Sequence, residues 1–326
     1  MYDLKIYGPC WLAPGVLGFD GKGYWFHKFF RMMPGFDFHD AIDVKKTSTL
    51  NGNTNNMDIA GPEKGYGPRN LFPRCIAVRL WSGETWNSVG LAGPSLKSLF
   101  QLPGFIRQDV PTMLSLMSPK HEKRERLAEI RQVVQLIREE IPIDSLPIAF
   151  QLNLSCPNTG LNPDDLVDEG VELLEIMARI KRPKILKFNI FAPPKAMRRI
   201  SEHPECAGLC ATNCPASKDM AKFILNWNRH HLKSPLELRD QKFGSGGYSG
   251  TSLLPIVADW NRRVRDEGVT IPINLGGGIR HPDHVDFLVE HGLLRRGIDS
   301  IFFASAAMVR PWQVQPIIRR AHQLLG

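Results

Sequence analysis

Eight short apolar runs alternate along this chain with stretches of helical periodicity. The runs are Cys10–Ala13, Ile42–Lys46, Thr112–Leu116, Ile148–Leu154, Ile185–Phe188, Gly208–Thr212, Ile271–Leu275 and Ser300–Phe303. Parallel strands joined by crossover helices produce such an alternation. Eight units of this kind predict an α/β fold, a closed (β/α)8 barrel that begins after a short N-terminal extension.

Three segments between the runs show clear helix signals. The strongest is residues 121–141, where apolar side chains recur every three or four residues and the opposite face is charged. Thr251 and Ser252 are suited to cap a second helix, and Asp283 to open a third. Residues 51–74 differ, because they are rich in Asn, Gly and Pro without periodicity, and we expect a long loop there. With 326 residues and no internal boundary, we expect one domain over residues 1–326.

The composition is that of a globular protein with a basic surface. Hydrophobic residues make up 43%, and 41 Lys and Arg against 33 Asp and Glu give a net charge of +8. Such a balance suits an anionic ligand or nucleic acid but identifies neither. The uninterrupted apolar runs are far shorter than the roughly 20 residues of a membrane span, and the first residues lack the apolar core of a secretory signal. With six scattered cysteines, we expect a reducing, cytoplasmic location and no membrane association.

Three small-residue turns indicate a phosphate-bearing ligand. Gly276-Gly277-Gly278-Ile279 follows the seventh predicted strand, Ala304-Ser305-Ala306 follows the eighth, and residues 244–250 form a glycine-rich turn before a helix. Backbone amides approach a phosphate closely where side chains are absent. None of the three matches the dinucleotide fingerprint or the Walker loop. In succession at the ends of neighbouring units, they favour a phosphate group over three unrelated tight turns.

The fourth predicted strand continues into a polar loop with chemically useful side chains. Asn153 ends the strand, and Cys156 and Asn158 follow it. Side-chain amides both donate and accept hydrogen bonds toward a heterocycle that has C=O and N–H groups. A loop cysteine serves as a nucleophile or base if its thiolate is accessible, whereas the alternative is a small buried hydrophobe.

The segment Asn153-Leu154-Ser155-Cys156-Pro157-Asn158 resembles the motif of the dihydroorotate dehydrogenases, which are FMN-dependent (β/α)8 barrels of pyrimidine biosynthesis. Other segments resemble that family in the same order. They are Ala13–Val16, Val44–Leu50, Asn87–Leu91, Lys187, Asn213 and the three small-residue turns, so the similarity extends from residue 13 to residue 308.

The resemblance implies a mechanism in which the thiolate of Cys156 takes the C5 proton of dihydroorotate and flavin N5 takes the C6 hydride. The implied substrate contacts are Lys46, Asn87, Val89, Gly90, Leu91, Asn153, Asn158, Asn213 and Cys214. The implied FMN contacts are Ala13, Gly15, Lys46, Thr47, Asn153, Lys187, Gly247, Ser249, Gly277, Gly278, Ala304 and Ser305.

Three positions depart from the family pattern. Pro14 replaces a serine, Ala304 replaces a glycine, and Cys214 stands where the family has Ser or Thr. Cys206, Cys210 and Cys214 are spaced by four, which matches neither the usual zinc spacings nor a complete four-thiolate cluster, so we expect no metal.

The resemblance also concerns partners. A cysteine at position 156 is similar to the soluble class of that family. The sequence begins almost directly at the predicted barrel, without the amphipathic extension of the family's quinone-linked class, so we expect a soluble electron acceptor such as fumarate, or an NAD-linked partner subunit. We further expect a homodimer and no nucleic-acid partner. Two alternatives remain open: a related flavin barrel acting on another dihydropyrimidine, free or in RNA, and a phosphate-binding barrel without turnover.

Overall fold

The barrel strands predicted from the sequence are present. A computed structural model describes residues 4, 7–34, 36–154, 163–224 and 233–326. In chain order the strands are β1 Cys10–Leu12, β2 Asp43–Ser48, β3 Ile76–Arg79, β4 Glu84–Asn87, β5 Thr112–Leu116, β6 Ile148–Asn153, β7 Lys184–Phe188, β8 Cys206–Ala211, β9 Gly247–Ser249, β10 Ile273–Gly276 and β11 Ser300–Phe303. The α-helices are α1 Trp25–Phe30, α2 Leu96–Phe100, α3 Lys123–Glu140, α4 Pro163–Met177, α5 Pro194–Ser201, α6 Pro235–Arg239, α7 Leu253–Asp266, α8 Pro282–Glu290, α9 Ala306–Val309 and α10 Val314–Leu325.

Within the described residues, eight parallel strands form a sheet in the order β1, β11, β10, β8, β7, β6, β5, β2. A parallel bridge between Trp11 and Ile42 joins the two ends of this order. There the Leu12 N–H donates to the Ile42 carbonyl at 2.9 Å, and the Ile42 N–H donates to the Cys10 carbonyl at 3.0 Å. The sheet therefore closes on itself, and the fold is an α/β TIM barrel.

The barrel strands are buried on both faces, as helices outside and interior side chains require. Every position of β6 and β8 is buried. The eight predicted runs coincide with the barrel strands, with ends displaced by at most two residues. This agreement is expected, because continuous β-rich burial leaves a strong local pattern.

The three predicted helices are present at the expected positions, but the N-terminal caps of two of them differ from the prediction. Helix α3 spans residues 123–140, and its buried face includes Leu127, Ile130 and Val134. Helix α7 begins after Ser252, but no side chain caps it. Helix α8 begins at Pro282, one residue before the predicted Asp283, and its cap is His281, whose side chain accepts from the Asp283 N–H. Across the described part of the chain, every helix is too short or too polar for a bilayer span.

A three-stranded antiparallel sheet in the order β3, β4, β9 was not predicted. Residues 244–250 were expected to form a turn, but Gly247–Ser249 is a strand that pairs with β4, and Asn87 lies opposite Gly247. The prediction failed because antiparallel pairing with a distant segment supplies the backbone partners that a local turn would otherwise need. Residues 51–74 form a long irregular loop as predicted, with a short 3₁₀ turn at Pro62–Lys64.

The small sheet is attached firmly to the barrel. Trp86 is buried, its ring lies 5.6 Å from the ring of Tyr248, and its indole N–H donates to the Ser217 hydroxyl at 3.0 Å. Tyr248 in turn donates to Glu84 at 3.1 Å, and Arg280 donates to the Ser82 carbonyl at 3.0 Å. These contacts hold the end of β4, and with it Asn87, against the loops that follow the barrel strands.

Candidate active site

A cavity of about 860 Å³ lies among the residues that end or follow the barrel strands. Asn153 ends β6, Lys187 lies near the end of β7, Asn213 follows β8, and Gly277 follows β10. In TIM barrels the carboxyl ends of the strands and their loops form the ligand site. The position of this cavity therefore makes it the candidate active site.

The site residues predicted from the sequence meet in this cavity wherever the structure describes them. Its lining includes Ala13, Gly15, Lys46, Thr47, Asn87, Val89, Gly90, Leu91, Asn153, Lys187, Asn213, Cys214, Gly247, Ser249, Gly277, Gly278, Ala304 and Ser305. Cys156 and Asn158 lie outside the described residues. Residues up to about 290 positions apart along the chain thus line one cavity, because barrel closure brings the ends of all the strands together.

A row of amide and thiol groups forms one polar edge of the cavity. The Asn213 side chain donates to the Asn153 side-chain oxygen at 3.2 Å, and the Cys214 backbone N–H donates to the Asn213 side-chain oxygen at 3.2 Å. The Cys214 sulfur lies 2.9 Å from the Ser249 hydroxyl and 3.8 Å from Nδ2 of Asn87. This edge offers both donors and acceptors, which suits a heterocycle with alternating C=O and N–H groups.

Gly247 lets the backbone of its strand approach residue 214 closely. A Cβ atom at Gly247 would lie 2.8 Å from Cβ of Cys214, closer than real contacts allow. The Cys214 sulfur reaches the Ser249 hydroxyl, so a thiol at this position makes a polar contact at the edge of the cavity.

Lys46 places an amine in an apolar part of the cavity. Its Nζ donates to the Ala92 carbonyl at 2.5 Å and lies 4.8 Å from the centre of the Phe19 ring. Burial lowers the pKa of Lys46 to about 8, because desolvation disfavours the ammonium form. An anion at this amine would restore the lost solvation, so the position suits a carboxylate.

The binding of orotate, the product expected for the predicted reaction, should depend on pH through Lys46. Below about pH 8 the amine is charged, so affinity should be nearly constant; above it the amine is neutral, and affinity should fall by up to about tenfold per pH unit. Titration of the protein with orotate at several pH values measures this. Lys46→Met should flatten the profile, whereas Lys97→Met, at an exposed lysine, should retain it. A wild-type affinity that does not fall above pH 8 would exclude Lys46 as the carboxylate ligand.

Lys187 is buried at the floor of the cavity. Its Nζ lies 5.1 Å from the centre of the Phe302 ring, and its side chain is 4% exposed. In the sheet Lys187 is directly opposite Cys210 of β8. A cation fixed at this depth can stabilise negative charge that develops on a bound ring.

The turns after β10 and before α7 have the features of a phosphate site. Gly277 and Gly278 have φ values of 119° and 85°, which only glycine adopts readily. A Cβ at Gly278 would lie 2.9 Å from the Gly250 carbonyl oxygen and from the Leu254 nitrogen, so this turn packs directly on the start of α7. Among the described residues, Oγ1 of Thr251 and Nε of Arg280 are two of five buried side-chain atoms without a hydrogen-bond partner, and neither residue lines the cavity. The features that suit an anionic ligand here are therefore the backbone amides of the glycines that line the cavity.

The outer part of the cavity is aromatic, which sequence reasoning missed. Helix α1 contributes Trp25, Phe26 and Phe30, and the 51–74 loop contributes Leu71 and Phe72. The Trp25 and Phe72 rings lie 5.3 Å apart, and the Trp25 indole N–H donates to the Leu71 carbonyl at 2.9 Å. The density of aromatic residues between positions 24 and 30 was the available signal. Only the tertiary structure shows that they meet the long loop at the cavity mouth.

His27 lies behind these aromatic side chains and also lines the cavity. Burial lowers its pKa to about 4, so it is neutral near pH 7. Its Nδ1 accepts from the Tyr24 N–H at 3.2 Å, which places the ring proton on Nε2. His27 therefore acts here as a neutral member of an aromatic cluster.

Comparisons with known proteins do not identify a function for this chain. No family model matches the chain, and no curated protein matches it. Among solved structures, a chain from the tryptophan synthase α2β2 complex of Pyrococcus furiosus matches with a TM-score of 0.36 and 15% identity, covering 72% of this chain and 75% of that chain. The TIM-barrel architecture stated above rests on the strand pairing of this chain.

Proposed function

We propose that this protein is a dihydroorotate dehydrogenase, an FMN-dependent oxidoreductase that converts dihydroorotate to orotate in pyrimidine biosynthesis. The observation that supports the proposal best is the convergence of the predicted site residues. Motif segments from Ala13 to Ser305 line one cavity, although their order in the sequence does not require it.

The residues present fit FMN. The glycines after β10, which line the cavity and have left-handed φ values, would hold the phosphate through their backbone amides. Lys187, Thr47 and Asn153 would hold the ring system on the floor of the cavity. When bound, FMN would supply the acceptor for the C6 hydride.

The chain's own residues account for substrate binding and for the proton. Lys46 would bind the carboxylate of dihydroorotate, and the amide groups of Asn87, Asn153 and Asn213 would bind the edges of its ring. Cys156, outside the described residues, is proposed to take the C5 proton as a thiolate. Loss of this proton together with the C6 hydride leaves the C5–C6 double bond of orotate.

We propose that fumarate or an NAD-linked partner subunit reoxidises the reduced flavin. A cytoplasmic homodimer likewise remains a proposal. Comparing reoxidation of the reduced protein by fumarate and by NAD⁺ would separate the two acceptors.

The visible spectrum of the purified protein tests the cofactor. We expect flavin bands at about 370 and 450 nm, or their recovery after addition of FMN. Anaerobic dihydroorotate should then bleach the band at longer wavelength. Absence of flavin with no recovery on adding FMN would exclude both this function and the related flavin barrels.

Dihydrouracil, which lacks the carboxylate, is the matched control substrate. It should bleach the flavin much more slowly, because Lys46 then has no anionic partner. Equal bleaching by dihydrouracil would favour the alternative that the enzyme acts on another dihydropyrimidine.

A further inference from the structure

A row of polar side chains crosses the interior of the barrel beneath the cavity. We call it the polar row; it consists of Thr47, Ser115, Gln151, Cys210, Asn274 and Ser300. These residues come from β2, β5, β6, β8, β10 and β11, and all six are buried. Interior layers of TIM barrels are usually filled by Val, Ile and Leu. A polar layer at this depth must satisfy its own hydrogen bonds, and this one does so from strand to strand.

The hydrogen bonds of the polar row run in a single direction. Ser115 donates to Oε1 of Gln151 at 3.3 Å, and Nε2 of Gln151 donates to the Cys210 sulfur at 3.5 Å. The Cys210 thiol donates to Oδ1 of Asn274 at 3.4 Å, and Nδ2 of Asn274 donates to Ser300 at 2.8 Å. The positions of the amide oxygen and nitrogen atoms set this order. Aligned hydrogen bonds polarise and strengthen one another in a low-dielectric interior.

Cys210 can act as a donor throughout the physiological pH range. Burial raises its pKa to about 12, and nearby Lys187 lowers it only in part. The thiol therefore stays protonated and can donate a hydrogen bond to Asn274. Cys210 also lies opposite Lys187 in the sheet, which places the centre of the polar row under the cavity floor.

The direction of the row determines how Thr47 can act toward a ligand. The Thr47 and Ser115 hydroxyl oxygens are 2.9 Å apart, and the Ser115 proton is already used by Gln151. The proton between the two hydroxyls must therefore come from Thr47. Thr47 lines the cavity, and with its proton committed to Ser115 its oxygen can only accept a hydrogen bond from a ligand.

We propose that the polar row, with Cys210 at its centre, is a positioning device that holds Thr47 as a hydrogen-bond acceptor and so favours a ring ligand with an N–H group at this wall. The ligand class is a flat heterocycle such as a flavin or a pyrimidine. This inference rests on the proposed function for the identity of the ligand, but the direction of the row is a property of the protein alone.

Infrared spectroscopy of the protein without added ligand tests the direction. The Cys210 S–H stretching band is obtained by subtracting the spectrum of Cys210→Val, which is nearly isosteric. It should appear at the lower frequency of a donating thiol, remain there in Gln151→Met, and move to higher frequency in Asn274→Leu. If Asn274→Leu does not fold, Gln151→Met alone decides the direction, because a thiol that donated to Gln151 in the reversed row would lose its acceptor there. A band that moves in Gln151→Met, or a wild-type band at the frequency of a free thiol, would overturn the proposal.

Affinity for FMN, measured by quenching of flavin fluorescence, tests the consequence. In Cys210→Val the Gln151 amide loses its acceptor and can turn, which releases the Thr47 proton, so FMN should bind about three- to tenfold more weakly. Cys210→Ser should restore binding to within about twofold, because a hydroxyl both donates and accepts. Cys206→Val is the matched control: Cys206 is also buried on β8, but its thiol lies 3.5 Å from the Gly208 carbonyl and takes no part in the row.

The infrared measurement and the FMN-affinity measurement can contradict different proposals. Equal FMN affinity in Cys210→Val and wild type would overturn the role of the row, as would an equal loss in Cys206→Val. If wild-type protein binds no FMN, the proposed function fails, while the infrared experiment still decides the direction of the row.

Discussion

Replacing Cys156 by alanine should leave FMN bound and slow its reduction by dihydroorotate by about 10²-fold or more, the usual contribution of a positioned general base. Alanine has no group that can take the C5 proton, whereas the predicted phosphate and ring contacts are made by other residues, which line the cavity. Stopped-flow absorbance under anaerobic conditions measures the rate of bleaching. An unchanged rate would show that another group is the base.

Two further variants make this experiment specific. Cys206→Ala removes a buried thiol outside the cavity and should leave the rate unchanged. Cys156→Ser should retain part of the rate with a pH profile displaced to higher pH, because a hydroxyl loses its proton less readily than a thiol. A profile identical to that of wild type would contradict proton transfer to residue 156.

Replacing Gly278 by alanine should weaken FMN binding by about 10²-fold, equivalent to about one lost hydrogen bond to a charged group. The new Cβ would lie 2.9 Å from backbone atoms of Gly250 and Leu254, and neither can turn away as a side chain would. The turn or the start of α7 must therefore move, and the amides predicted to hold phosphate move with it. Equilibrium binding monitored by flavin fluorescence measures the effect.

Gly292→Ala is the matched control for backbone strain. Gly292 has a φ of 65°, similar in kind to the 85° of Gly278, but a Cβ there meets nothing within 4 Å. It should lower the free energy of unfolding by about 1–2 kcal/mol, the cost of a left-handed conformation for alanine, and leave FMN affinity unchanged. Gly278→Ala should be destabilised further because it adds the steric contact. Equal FMN affinity in the two variants would argue against a phosphate at this turn.

The sequence predicted the barrel well because the information is local. Each barrel strand is a short apolar run, and helix α3 shows its buried face in the spacing of Leu127, Ile130 and Val134. The Asn, Gly and Pro content of residues 51–74 predicted the long loop equally well. These features depend on residues close together in the sequence. The sequence therefore predicted them correctly, with errors of a few residues at the ends of the elements.

The candidate site was predictable only through the resemblance of its motifs. A lysine such as Lys187 or an asparagine such as Asn213 has no local feature that distinguishes a cavity floor from a solvated surface. The prediction for residues 244–250 failed for a related reason. A glycine-rich segment predicts a turn when only its neighbours in the sequence are considered. Its partner strand β4 lies about 160 residues earlier in the chain, so the pairing leaves no local signal.

By itself, the sequence determined the number and order of the barrel strands, because the alternation of buried runs with helices leaves a parallel sheet few ways to close. The tertiary structure alone decided what those strands bring together: the aromatic mouth formed by α1 and Phe72, the lowered pKa of Lys46 and the direction of the polar row. The physical reason is that strand propensity depends on adjacent residues, whereas desolvation and hydrogen-bond polarity depend on groups that only chain closure places in contact.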